Sequence, residues 1–124
     1  MAKSTNRYFQ FTGSSKNAQV SPKPWYPAAD VYKTPEGWVV KVELAGVSIE
    51  EIKIEIDANS LHIAGCRKDH SCAAGVSYQQ MEITYSNFEK TLRFPSPLEG
   101  VAVEHSIENG LLIIQLRKGP EDPK

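Results

Sequence analysis

Hydrophobic and polar residues alternate most cleanly over Ile52-Lys53-Ile54-Glu55-Ile56-Asp57, where isoleucines fill one face and charged residues the other. A period of two puts successive side chains on opposite faces of an extended chain, so the segment predicts a half-buried antiparallel strand. Trp38, Val40, Val42 and Leu44 repeat the pattern, with Lys41 and Glu43 opposite them. Ala58-Asn59-Ser60 turns the isoleucine strand into Leu61-His62-Ile63-Ala64-Gly65, a predicted hairpin. A shorter strand, Asp30 to Lys33, is closed by Pro35-Glu36-Gly37, and another, Phe88 to Phe94, is stopped by Pro95-Ser96-Pro97, because proline has no N–H to give a ladder. Val101 to Ile107 alternates again through Val103 and His105. Asn109-Gly110 then offers the two residues that tolerate positive φ in a type I′ turn and delivers the chain into Leu111 to Leu116. That last strand opens Leu111-Leu112-Ile113-Ile114 and belongs at the centre of a sheet. Seven strands, short turns and almost no helical periodicity predict an all-β fold, a two-sheet antiparallel immunoglobulin-like β-sandwich.

Two stretches break the alternation. Residues 66 to 80, rich in Cys, Lys, Asp, His, Ser, Ala and Gly, read as a long loop, and a loop of that length inside a compact domain is usually functional or mobile. Between Ala2 and Pro24 the only branched aliphatic residue is Val20, so this segment lacks the material for a core. Residues 1–27 are therefore expected to be a flexible arm, 28–118 the sandwich and 119–124 a short polar tail. The arm carries Tyr8, Phe9 and Phe11, and at its exit Trp25 and Tyr26 between Pro24 and Pro27. Such rings either pack back on the domain or offer an adaptable surface to partners, and Phe9, Phe11, Trp25 and Tyr26 are the candidates for the second role.

Charge and composition narrow the chemistry. The 124 residues suit one domain with one ordinary core, and no run is long and apolar enough to span a membrane; the polar opening also lacks the apolar centre of a secretory signal. A cytoplasmic protein is expected. Lys3, Arg7, Lys16 and Lys23 make the arm basic, but four dispersed charges are too few for a nucleic-acid partner to be the expectation. Cys66 and Cys72 do not make a disulfide framework, and cytosolic thiols are normally reduced, although a redox pair is one reading of them. His62, Cys66, His70 and Cys72 cluster in sequence, yet the spacing of the two cysteines is not that of a zinc knuckle. No glycine-rich phosphate loop and no nucleophile elbow is present, so neither a cofactor, a metal nor catalysis is expected.

Five motifs then follow one another: Asp30-Val31-Tyr32; Val42-Glu43-Leu44-Ala45-Gly46-Val47 with Glu50-Glu51-Ile52-Lys53-Ile54; Leu61-His62-Ile63-Ala64-Gly65-Cys66-Arg67-Lys68; Phe88-Glu89-Lys90-Thr91-Leu92-Arg93-Phe94-Pro95; and Glu108-Asn109-Gly110-Leu111-Leu112. In this order and at these separations the chain resembles the Hsp20/alpha-crystallin domain of small heat-shock proteins over residues 28–118. It departs from the family at Ala45, usually proline, at Lys90, commonly arginine, and at His105, usually a small residue. No Ile-x-Ile or Val-x-Val pair follows Lys118. In the family that pair docks on a neighbouring domain and builds large oligomers, so a homodimer, or a larger homo-oligomer assembled through the arm, is expected.

The resemblance implies a chaperone that holds partly unfolded proteins against aggregation without ATP. A holdase needs exposed apolar area rather than a reacting group. At about 25 cal/mol per Å² of apolar surface, a few hundred Å² of contact supplies several kcal/mol before ordering costs, enough for transient binding. The resemblance also implies a groove between the strands at 52–57 and 101–107, with Ile54, Ile56, Val103 and Ile107 as its candidate lining. It further implies that the 66–80 loop crosses to a partner subunit, so that Val76 and Tyr78 meet Val31 and Tyr32, with Lys90 as a further dimer contact. The competing class is a module of the CS or p23 type, which shares the sandwich but serves one defined protein partner.

Overall fold

The computed structural model describes residues 20–71 and 73–119. Among the described residues eight strands run in chain order: β1 (Ser21–Trp25), β2 (Ala29–Thr34), β3 (Gly37–Glu43), β4 (Ile52–Asp57), β5 (Ser60–Cys66), β6 (Ser86–Arg93), β7 (Ala102–Glu108) and β8 (Leu111–Arg117), with one 3₁₀ turn at Ile49–Glu51. They form two four-stranded sheets, ordered β1-β6-β5-β4 and β2-β3-β8-β7. Seven of the eight are the strands predicted by alternation. Asn109 and Gly110 have φ of 53° and 81°, the positive values that the β7–β8 turn requires.

Register explains the core. In β3 and β8, Trp38 faces Leu116, Val40 faces Ile114 and Val42 faces Leu112; in β4 and β5, Ile54 faces Ile63 and Ile56 faces Leu61. Each pair points to the same face of its sheet, so stacking the two sheets buries Val40, Val42, Leu44, Leu61, Ile63, Leu112, Ile114 and Leu116 completely, with Phe88, Phe94 and Leu98 nearly so. The β8 strand sits inside its sheet, as its apolar run predicts, with Leu112, Ile114 and Leu116 fully buried, Leu111, Ile113 and Gln115 half-buried and Arg117 exposed. Trp38 meets Phe94 edge to face, closing one end of the sandwich, and Phe94 N and Leu98 N donate to the carbonyls of Asn59 and Ala58 under the β4–β5 turn.

The unpredicted strand is β1. Its residues were expected in the flexible arm, because Pro22 and Pro24 read as linker; they instead lie parallel to β6, so one sheet is not purely antiparallel. Proline is tolerated there because β1 is an edge strand, where half the backbone donors need no partner. Pairing holds at Ser21–Ser86 and Trp25–Phe88, with an irregularity between.

Only Tyr26, Pro27 and Ala28 separate β1 from β2. With Cα atoms about 3.8 Å apart, so short a link crosses the roughly 10 Å between stacked sheets but not that gap and a sheet's full width as well. Consequently β1 and β2 edge one side of the sandwich, and β4 and β7 edge the other. The link is fastened by Lys90 Nζ, which donates to Pro27 O at 2.9 Å, and by Glu43 N, which donates to Ala28 O at 2.9 Å.

Candidate partner-binding edges

The β4 and β7 side is apolar. Ile54 and Ile56 are half-buried and lean on the buried core, as does Ile107, while Lys53, Glu55 and Asp57 face water. Val103, His105 and Ile107 pair with Leu116, Ile114 and Leu112, so their side chains belong to the core-facing row of β7. At the sheet edge that row is incompletely covered: Val103 remains 38% exposed and His105 is exposed. Among the described residues no strand pairs with the outer side of either β4 or β7. The four residues of the predicted groove, Ile54, Ile56, Val103 and Ile107, thus lie on the two open edges of one side of the sandwich. The alternation expected of 101–107 buries little, because β7 is an edge strand; sequence period gives the face but not the cover.

The opposite side is fastened by polar groups. Arg67, just past β5, donates from Nε to Thr84 O at 2.9 Å and from Nη1 to Ala45 O at 3.0 Å, and its guanidinium lies 3.7 Å from the centroid of the Trp25 ring. Trp25 in turn meets Phe88 edge to face at 5.5 Å. A cation stacked on indole contributes on the order of 0.5–2 kcal/mol, and each hydrogen bond to a charged donor about 1.5–3. Burial draws the Arg67 guanidinium somewhat below its ordinary value, partly offset by Tyr85. The role of Arg67 was not predicted; neither its place in a motif nor its neighbours in sequence point to Trp25.

Residues 67–85 form the long connection between β5 and β6. Asp69, only 5% exposed, organises it by accepting hydrogen bonds from Ser71 N at 3.1 Å, Ser71 Oγ at 2.8 Å and the Tyr78 hydroxyl at 2.7 Å. Burial pushes the Asp69 carboxyl up, but the donations from Tyr78 and Ser71, together with the charge of His70, outweigh it and hold the group below the usual carboxylate range.

Of the candidate dimer contacts, Val31, Tyr32 and Val76 are 40%, 43% and 53% exposed, the first two on the open edge strand β2; Tyr78 is half-buried against Asp69, and Lys90 is spent on Pro27 within its own chain. Of the arm candidates, Tyr26 is 75% exposed, Trp25 is seated in the sheet, and Phe9 and Phe11 lie outside the described residues.

Cys66 ends β5 half-buried, and burial pushes its thiol up; Lys68 acts in the opposite direction and Glu51 adds to the rise. Cys72 lies outside the described residues, and so does any pairing with it. His62 Nδ1 is 2.8 Å from Thr91 Oγ1, and among the described residues no three metal-ligating side chains converge. No helix of the described residues is long and apolar enough to cross a membrane.

These features define an immunoglobulin-like β-sandwich with one polar-fastened side and one open apolar side. The profile of the Hsp20/alpha crystallin family matches residues 30–124, and the chain belongs to that family. It is 29% identical over 113 residues to small heat shock protein C2 of Rickettsia felis, covering 91% of this chain and 71% of that one. It is 32% identical over 94 residues to the 22.7 kDa class IV heat shock protein of Pisum sativum, covering 75% of this chain but 48% of the pea protein. Among solved structures, heat shock protein 16.0 from Schizosaccharomyces pombe superposes with a TM-score of 0.67 at 24% identity, covering 81% of this chain and 94% of that one. A small heat-shock protein from Xylella fastidiosa, described as having a distinct high order structure, gives 0.64 at 23% identity over 81% and 92%. Small heat-shock proteins, as a family, are chaperones that need no ATP rather than enzymes.

Proposed function

We propose that the chain is a holdase that takes up partly unfolded proteins on the β4–β7 side and keeps them from aggregating. The observation that carries this reading is the pair of open edges, β4 and β7, lined by Ile54, Ile56, Val103 and Ile107 beside the core. An extended apolar segment placed there gains both burial and unpaired edge N–H and C=O groups. The arm, with Phe9 and Phe11, adds further adaptable contact. The working unit is a homodimer in the cytoplasm, formed where the open β2 edge with Val31 and Tyr32 receives Val76 and Tyr78 of a second copy.

The test is light scattering from two unrelated heat-labile proteins, with and without the chain and in the absence of ATP, together with native mass. Suppression of both proteins at near-stoichiometric ratio is expected, from a species of twice the chain mass or a multiple of it. Suppression of neither, or binding confined to one defined partner, would replace the holdase with an adaptor.

A further inference from the structure

The side fastened by Arg67 contains a second strand site, at present filled by the chain itself. Arg67 N donates to Ser86 O and Phe94 N to Asn59 O, so even-numbered residues of β6 bond to β5 and odd-numbered ones face outward. Tyr85 O accordingly accepts from Ser21 N at 2.6 Å, and the backbones of Asn87 and Glu89 face the same edge. The strand that covers that edge pairs with it only at Ser21 and Trp25, its two ends. Between Ser21 and Trp25 the strand bulges out of register with β6, and Lys23 N turns to the hydroxyl of Ser21 at 3.1 Å. Two carbonyls of β1, those of Ser21 and Lys23, share the hydroxyl of buried Ser86, which has a single proton to donate. Apart from the backbone pairing at Ser21 and Trp25, β1 is held by the Trp25 ring, clasped between Phe88 and Arg67.

We propose that β1 is a displaceable strap, and that the β6 edge beneath it is a strand-addition site for an extended segment of an unfolded protein carrying an aromatic residue in place of Trp25. The chemistry of the occupant is set by the seat: backbone groups opposite Tyr85, Asn87 and Glu89, and one ring between Phe88 and the Arg67 guanidinium. Beside Arg67, at the end of the seat that Ser21 meets, lies a shallow cavity lined by Ala45, Gly46, Glu82, Ile83, Thr84 and Tyr85, where Ile83 is 63% exposed and offers apolar contact to the leading residues of the guest. The proposal rests on the holdase reading for the identity of the guest, but not for the motion of the strap.

Two measurements test it on the full chain. In the unaltered protein, hydrogen exchange of the Asn87 and Glu89 amides should be at least about 100-fold faster than that of Leu112 and Ile114, because the strap opens without global unfolding. Equal protection at all four would overturn the proposal. A labelled synthetic peptide copying residues 20–27 should bind Trp25→Ala about tenfold more tightly than the unaltered chain, since the competing strap is weakened, and the same peptide with alanine for its tryptophan should lose that gain. Equal affinity of the peptide for both chains would overturn the proposal. If Trp25→Ala fails to fold, exchange in the unaltered chain decides alone. Should the strap behave as expected while neither client is kept from scattering light, the holdase reading fails and the strap stands.

Discussion

The two sides of the sandwich solve the same problem differently. Every open sheet has edges with unpaired backbone groups, and here the β1–β2 side closes one of them with a proline-bearing strand, an arginine stacked on tryptophan and a lysine on a backbone carbonyl. The β4–β7 side keeps both of its edges open and puts isoleucine and valine beside them. One side spends polar contacts on holding its own chain. The other leaves apolar surface that gains by meeting another chain.

The largest effect should come from a substitution that strikes both sides at once. A Cβ on Gly65 would run into the carbonyl oxygen of Glu51, just before β4, and lie 2.7 Å from Cζ of Phe88, beneath Trp25. Gly65→Ala is expected to cost about 3 kcal/mol or more in urea unfolding, since both obstacles are backbone or buried ring. Next, Arg67→Ala should cost about 2–3 kcal/mol, through two lost carbonyl contacts and the bare Trp25 face, whereas Val103→Ala on the open side should cost less than about 1 kcal/mol. Equal costs for the two would erase the contrast between the sides.

A smaller effect than that of Arg67→Ala separates the fastened loop by pH. Because the Asp69 carboxyl is held below its ordinary value, its contribution to stability is complete above the unfolded value of about 3.9 and is lost as the pH falls through the folded one. Asp69→Asn should therefore be about 1–2 kcal/mol less stable than the unaltered chain at pH 7, with the gap closing in acid below about pH 4. A gap that persists unchanged at pH 3 would remove Asp69 from its role.

The faces and turns of the strands on the open side were legible in the sequence and the contacts of the fastened side were not, for a physical reason. Ile54 and Ile56 announce their face through local period, and Asn109-Gly110 announces its turn through the φ values it tolerates; both signals lie within a few residues. Trp25 and Arg67 meet only because β1 docks beside β6, and Arg67 reaches carbonyls 17 and 22 residues away. Nothing in Ser21-Pro22-Lys23-Pro24-Trp25 distinguishes an edge strand from a linker, since prolines suit both. Val103 shows the limit of period itself: the alternation places it on the core-facing row, but only strand order reveals that the row is at an edge.

The central claim is that the open β4–β7 side carries the chaperone work. Val103→Asp tests it most directly, by placing a charge in that row at a position exposed enough to keep the fold within about 1 kcal/mol of the unaltered chain. With folding verified by urea unfolding, light scattering of two unrelated heat-labile proteins should show the variant losing most of its suppression of both. Full suppression by a correctly folded Val103→Asp chain would contradict the account and move client binding to the arm or to the β6 edge.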